Sequence, residues 1–200
     1  MRNDIINAAR EYQKMANKKY LYVYGDKFFE VIYKTSSFKH LTGVGSSLSA
    51  KNFYKKAVKG ILADSQIHFN SRYPYTRAKK KLSCLKNIFL LVSSIICVVE
   101  DLNTVSVTYK IGLTNLNFTI GFMKEDEKDN YYSPQTLRVK DKSIENSQNT
   151  EFIDFIFEKE ATEKLYGKVT YREEGKELPK KFLGMLSNDL KKEFSSELLV

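Results

Sequence analysis

His40 is the first residue whose surroundings suggest chemistry. It stands in Phe38-Lys39-His40-Leu41-Thr42-Gly43, an imidazole beside an ammonium, followed by a hydroxyl and a glycine that permits close backbone approach. Cleaving RNA without a metal takes a base for the 2′-hydroxyl proton, an acid for the leaving 5′-oxygen and cations for the charged phosphorane. A histidine flanked by lysine and arginine supplies part of that set. The competing reading is a hydrogen-bonded structural histidine in a loop, and it weighs more heavily still for the second histidine, His68. A second group of candidates lies in Tyr131-Tyr132-Ser133-Pro134-Gln135-Thr136-Leu137-Arg138, which puts two hydroxyls and a guanidinium on one strand-like run. Its proline demands an edge or a bulge, and a bulge re-aims side chains. The plain alternative is an edge strand with surface hydroxyls.

Other chemistries are excluded by what the chain lacks. It has no phosphate-binding G-x-x-x-x-G-K-[ST], no G-x-S-x-G, no H-E-x-x-H and no glycine-rich dinucleotide turn. Two histidines cannot build a multi-histidine metal site, and the carboxylates Asp64, Glu100 and Asp101 have no spacing that marks them as ligands, so no cofactor is expected. Cys84 and Cys97, thirteen apart with no histidine nearby, read as buried thiols. The longest apolar run, Ile88–Val99, falls short of the roughly 18–20 residues that cross a bilayer. The N-terminal MRNDIINAAREYQKM carries charges throughout. No membrane partner is expected, and the expected address is the cytosol.

Charge points to the partner. The formal net charge of the 200 residues is +9, and residues 1–90 hold 18 basic against 5 acidic side chains, whereas the rest is mildly acidic. Such asymmetry suggests a polyanion, nucleic acid first. Two lysine-rich faces concentrate it: Lys51, Lys55, Lys56 and Lys59 on one segment, Arg77, Lys79, Lys80, Lys81 and Lys86 on another. Each also reads as a solvated helix surface, but both are nearly free of acid and follow His40 closely in sequence, which favours a phosphate-binding surface. Tyr54, Tyr73 and Tyr75 could add base stacking, or fill the core.

The elements that must position these groups follow from periodicity. Residues 3–18 read as an amphipathic helix capped by Asn3 or Asp4. KYLYVY and KFFEVIY, separated by Gly25-Asp26, read as a hairpin. Residues 35–47 are loop-like; Ser49 caps a helix ending near Gly60, and another spans Tyr75–Phe89. From residue 94 the period changes to two: three strands and a fourth containing Pro134 make an antiparallel meander, in which Leu116, Phe118, Ile120 and Phe122 share a face. Residues 143–150 read as a linker, and 151–160 are ambiguous between strand and helix. A last helix opens at Leu178-Pro179, with Phe182, Leu183, Leu186, Leu190 and Phe194 as its stripe. With 42% hydrophobic residues the chain can bury a real core. The fold class expected is α+β.

FFEVIYKTSSFKHLTG followed by SAKNFYKKAVKG, a basic helix, a meander and the Tyr-Tyr-Ser-Pro-Gln-Thr strand resemble the phage-associated nuclease domains of the Barnase, EndoU, colicin and RelE superfamily, fourth subtype. The likeness covers residues 19–158, with residues 1–18 as an N-terminal helix and 159–200 as a C-terminal extension with a helix. It implies an antiparallel meander with N-terminal helices packed on one face, and a metal-independent ribonuclease of the toxin or phage and mobile-element effector type, without cofactor. On matching positions it makes His40 the acid or base, Thr136 a contributor from the sheet and Arg77 a stabilising cation. Lys39, Thr42, Lys55, Lys80, Lys81, Ser133 and Arg138 become candidates for holding RNA. RNA and an inhibitor or antitoxin protein are the partners expected. The likeness does not explain the C-terminal 40 residues, whose helix can serve a homodimer, an antitoxin or packing alone. The reading from another class is a non-catalytic nucleic-acid-binding or phage–host interaction protein that keeps fold and charge but lacks a complete acid–base pair.

Overall fold

Helix α1 (Arg2–Gln13) buries Ile5, Ile6, Ala8, Ala9 and Tyr12, the face its periodicity requires. It begins before the expected caps, so Asp4 lies inside the first turn, 3.2 Å from the terminal amine and 2.9 Å from Lys86 Nζ. A carboxylate is favoured there by the helix dipole. The hairpin forms as expected: β1 (Lys18–Tyr24) and β2 (Lys27–Ile32) pair antiparallel across Gly25-Asp26, with Gly25 at φ 50°. The computed structural model describes residues 1–104, 107–126, 128–140 and 149–196; most of the linker expected at 143–150 lies outside them.

The segment 35–47 is not all loop. Ser37–Thr42 forms a short helix, α2, with Phe38 and Leu41 buried, and it stops at Gly43, whose φ of 67° is left-handed. Two apolar residues one turn apart are too few to show a period. A two-residue strand β3 (Gly45–Ser46) pairs with β4 (Ile67–His68). Between them α3 (Ala50–Val58) starts at Ser49, whose hydroxyl accepts from the Asn52 N–H at 3.4 Å. Helix α4 (Tyr75–Leu85) buries Ala78, Leu82 and Leu85 and gives way to a 3-10 segment, Ile88–Val92.

The expected meander is present: β5 (Cys97–Asn103), β6 (Thr108–Thr114), β7 (Phe118–Met123) and β8 (Ser133–Val139) are consecutive neighbours, and β9 (Asn149–Phe152) returns to the far side of β5. β8 is an edge strand whose register shifts opposite Gly121/Phe122, next to Pro134, as a proline requires. Leu116 leaves the buried face: it sits in the β6–β7 turn at φ 70° and is exposed. Residues 151–160, ambiguous in sequence, are extended. β10 (Phe155–Glu160) pairs with β1 on one side and β11 (Lys168–Arg172) on the other.

The two sheets connect at both ends. Ile32 N–H donates to Tyr132 O at 2.9 Å and Tyr132 N–H to Glu30 O at 2.8 Å, joining β2 to the residue before β8; Ile153 N–H donates to Ile96 O at 3.0 Å where β9 steps into β10. The strands therefore form a strongly curved, almost closed layer. Its inner face and helices α1–α4 share one core, in which Tyr12, Tyr20, Tyr22 and Tyr33 are buried. Buried phenols need partners: Tyr22 and Tyr33 hydroxyls meet at 3.0 Å, Tyr12 donates to Lys34 O and Tyr20 to Glu158.

The outer face of β1 and β10 is covered by the C-terminal segment. Leu21, Val23, Phe155 and Phe157 pack with Tyr166, Leu178, Phe182, Leu186, Leu190 and Phe194. The expected single helix is two pieces, a 3-10 segment Lys180–Met185 and α5 (Asn188–Ser196). The break follows from Leu186, which is extended and bridges Tyr166, and from Ser187, which starts a new helix: its Oγ accepts from Leu190 N–H and its carbonyl from Lys191 N–H. The apolar stripe of the C-terminal segment is packed within the chain. No helix among the described residues is long and apolar enough to cross a membrane.

Candidate functional site

Helix α4 can start sharply because Pro74 precedes it, its ring preset for a helical entry. With one side held in the core by Ala78, Leu82 and Leu85, the residues at 77, 80 and 81 share another side by their three- and four-residue steps. That side faces β8. Arg77, Lys80 and Lys81 line an open cavity of about 410 Å³ with Thr136, Leu137, Arg138 and Val139. The two regions that the sequence marked separately, a basic helix and a hydroxyl-bearing bulged strand, thus meet. Among the described residues, neither Asp nor Glu lines this cavity.

Lys81 is the most perturbed cation of the group. Burial, reinforced by Arg138 and then Arg77, pushes its ammonium down to about 8. Its stem runs against Gly43: a Cβ at Gly43 would stand 3.0 Å from Lys81 Cδ and 3.7 Å from Nζ. Glycine at 43 is therefore favoured twice, by the left-handed end of α2 and by the close passage of this lysine.

Gly43 also lines a second cavity, of about 300 Å³, with Lys39, His40, Val44, Ala50 and Tyr73. His40 lies in the last turn of α2, solvent-exposed. Lys81 and Gly43 are thus the partition between a cationic cavity and a histidine-bearing one. His40 and Thr136 line different cavities, on either side of that partition.

The structure redistributes the remaining candidates. Thr42 is fully buried; its hydroxyl donates to Lys39 O at 2.7 Å and accepts from Val44 N–H at 3.1 Å, so it shapes the α2–β3 turn and cannot reach a ligand. Ser133 is likewise interior, its hydroxyl between Met123 O and the Gln135 amide. Lys39 braces the next loop through Ser46 O at 3.1 Å and Leu48 O at 2.6 Å, while its side chain walls the His40 cavity. Lys55 is exposed on α3 and lines neither cavity. Tyr54 belongs to the core, against Tyr12 and Phe38.

Of the three tyrosines offered for stacking, Tyr73 lines a cavity, and His68, read in the sequence as structural, stands beside it. Asn70 fixes the backbone at Tyr73: its Oδ1 accepts from the backbone N–H of Arg72 and of Tyr73, each at 3.0 Å, and its own N–H donates to Tyr73 O. His68 pairs with Gly45 across β3 and β4, so closely that a Cβ at Gly45 would stand 2.6 Å from its ring, and it meets Tyr73 edge to face at 6.1 Å. The signal available in the sequence was the pair of glycines at 43 and 45, each of which admits a side chain from a distant segment.

Residues 4–175 match the model of one family, phage-Barnase-EndoU-ColicinE5/D-RelE like nuclease4. The chain belongs to that nuclease family. The match takes in α1 and runs through β11, so both cavities fall inside it. No curated protein and no solved structure gives a match. For this phage-type nuclease the α+β architecture and the antiparallel meander stand as expected. Among the described residues no cluster of three or more His, Cys, Asp or Glu could hold a metal ion.

Proposed function

We propose that this nuclease-family protein is a metal-independent endoribonuclease of the toxin or phage-effector type, acting in the cytosol. The observation that carries the reading is the cationic cavity. Arg77, Lys80 and Lys81 from α4 and Arg138 from β8 surround one opening beside the Thr136 hydroxyl, with no carboxylate among the described residues of the lining. Such a donor set attracts a phosphodiester and repels a divalent cation. An unpaired chain of RNA seated there places a phosphate among the cations. A base removes the 2′-hydroxyl proton, and the oxygen attacks phosphorus. The 5′-oxygen then leaves with a proton from an acid, giving a 2′,3′-cyclic phosphate and a 5′-hydroxyl end. His40 serves one of the two proton transfers from across the Gly43 partition, and Lys81, poised to release a proton near neutrality, stands at the same partition. Arg77, Lys80 and Arg138 stabilise the charge that develops on the phosphorane. An enzyme of this kind inside its own host requires an inhibitor protein.

The test is incubation of the full chain with single-stranded and structured RNA in excess EDTA, beside a His40→Ala control, with analysis of the fragment ends. Cyclic phosphate ends that disappear in the variant support the reading. Intact RNA with salt-sensitive binding instead supports a non-catalytic nucleic-acid-binding protein. That alternative is favoured by one observation, that His40 does not line the cavity where the cations converge.

A further inference from the structure

The cavity on the His40 side of Lys81 has a composition that phosphate chemistry does not explain. Val44, Ala50 and the glycine at 43 give it apolar walls, and Tyr73 supplies an aromatic ring. The backbone that carries the ring is fixed by the Asn70 turn, and the ring has the Arg72 guanidinium 5.5 Å from its centroid and meets His68 edge to face. An aromatic ring beside a basic cavity is the arrangement by which proteins hold single-stranded nucleic acid, with the base stacked and the backbone neutralised. At about 300 Å³ the cavity is small for a ligand site and suits one flat ring system. A base within a duplex, stacked on both sides, cannot enter without being flipped out.

We propose that the Tyr73–His40 cavity is a nucleobase subsite, which takes one unpaired base next to the phosphate held by Arg77, Lys81 and Arg138 and so restricts the protein to single-stranded or looped RNA. The proposal rests on the ribonuclease reading, since it names the substrate class of the same site. The two cavities adjoin at the Gly43–Lys81 contact: Gly43 lines the base cavity, and Lys81, which lies against it, lines the phosphate cavity. Stacking on a single aromatic ring is sequence-tolerant because every base has a π-face, so the subsite selects for unpaired nucleotides more than for one base.

The experiment uses the full-length protein and a 2′-O-methyl oligoribonucleotide, which cannot be cut, carrying one 2-aminopurine. It is presented single-stranded and annealed to its complement, with fluorescence quenching as the readout. The expected result is quenching with the single strand and little with the duplex. Tyr73→Ala should bind the single strand about tenfold more weakly, while Tyr73→Trp retains affinity. Binding of inorganic tripolyphosphate, a ligand of the cation cavity alone, should be unchanged in both variants, which also shows that they are folded. Equal affinity for single strand and duplex, or an undiminished affinity in Tyr73→Ala, overturns the subsite. If the wild-type protein still cuts RNA in EDTA in that event, the ribonuclease reading survives without it. A wild-type protein that neither binds nor cuts RNA overturns both.

Discussion

Replacing Lys81 by methionine should make the protein more stable at neutral pH while disabling it. The lysine is charged in the unfolded chain up to its ordinary 10.5, but in the folded protein its ammonium is pushed down to about 8 by burial and by Arg138 and Arg77. A depressed lysine costs stability wherever the unfolded chain is protonated and the folded one is held so against its environment, and that cost is complete below about pH 8. As pH rises from there towards 10.5 the unfolded chain binds more protons than the folded one, and the cost fades. With about 1.4 kcal/mol for each pH unit between the unfolded and folded values, the ceiling is about 3 kcal/mol, and screening at a half-buried position reduces it to about 1–2 kcal/mol. Methionine keeps the unbranched stem that runs past Gly43, so little packing is lost. Urea unfolding of both proteins at pH 7 should therefore show the variant more stable by about 1–2 kcal/mol, with more than half of the difference gone by about pH 9.5. RNA cleavage should fall by at least about a hundredfold, the range for removal of one preorganised charge-stabilising group. A variant less stable than wild type at pH 7, or a stability difference that does not change with pH, would refute the placement of Lys81 as a buried charge between two arginines and a glycine.

Gly43→Ala should lose about 1–2 kcal/mol of stability, from the left-handed backbone alone, and should slow RNA cleavage because the new methyl displaces Lys81 Cδ; thermal unfolding and initial rates measured together check both parts. Arg77→Ala and Lys80→Ala should each reduce the slope of log affinity for single-stranded RNA against log salt by about 0.7 with little change in stability, whereas Lys55→Ala should leave the slope alone, as titrations across a salt series would show. Phe194→Ala should cost about 3 kcal/mol in urea unfolding, since its ring packs edge-on to Phe155 and Phe157 at 5.8 and 5.7 Å, yet leave the salt dependence of RNA binding unchanged; a shift in RNA binding in the folded variant would refute the separation of the outer layer from the site.

The parts of the fold legible in the sequence are those whose reasons are local. The β5–β8 meander shows itself by alternation and short turns, and α4 by apolar residues at three- and four-residue steps that leave Arg77, Lys80 and Lys81 together. Helix α2 is too short to have a period, and its end depends on the left-handed turn at Gly43. The C-terminal stripe is real, but its break at Leu186 is set by a bridge to Tyr166, twenty positions earlier. The return of β10 to β1, which pairs Leu21 with Phe157, has no local signature at all. The site follows the same division. A residue type announces what it can do, and a hydroxyl can serve a ligand or the fold; Thr42 and Ser133 were read as the first and serve the second, Thr42 in the turn after α2 and Ser133 between β8 and β7, because burial is decided by neighbours distant in sequence.

The site lies where an antiparallel sheet would otherwise expose an edge. β8 closes the meander and meets β2 only at its start, through Tyr132, so the rest of its free edge would be open to pairing with another chain. Helices α2 and α4 cover it instead, and both are anchored in the same core as the strand: Phe38 and Leu41, Leu82 and Leu85, and Leu137 belong to one cluster. An edge covered in this way presents backbone and side chains of three elements at one seam, and the residues that emerge at the seam are the ones facing away from that core: His40, Lys81, Thr136 and Arg138. Their relative positions are therefore set by the packing beneath them. The arrangement gathers cations at the cavity mouth with no carboxylate among the described residues of its lining, as a phosphate ligand requires, and places the stability of the site in apolar residues that touch no substrate.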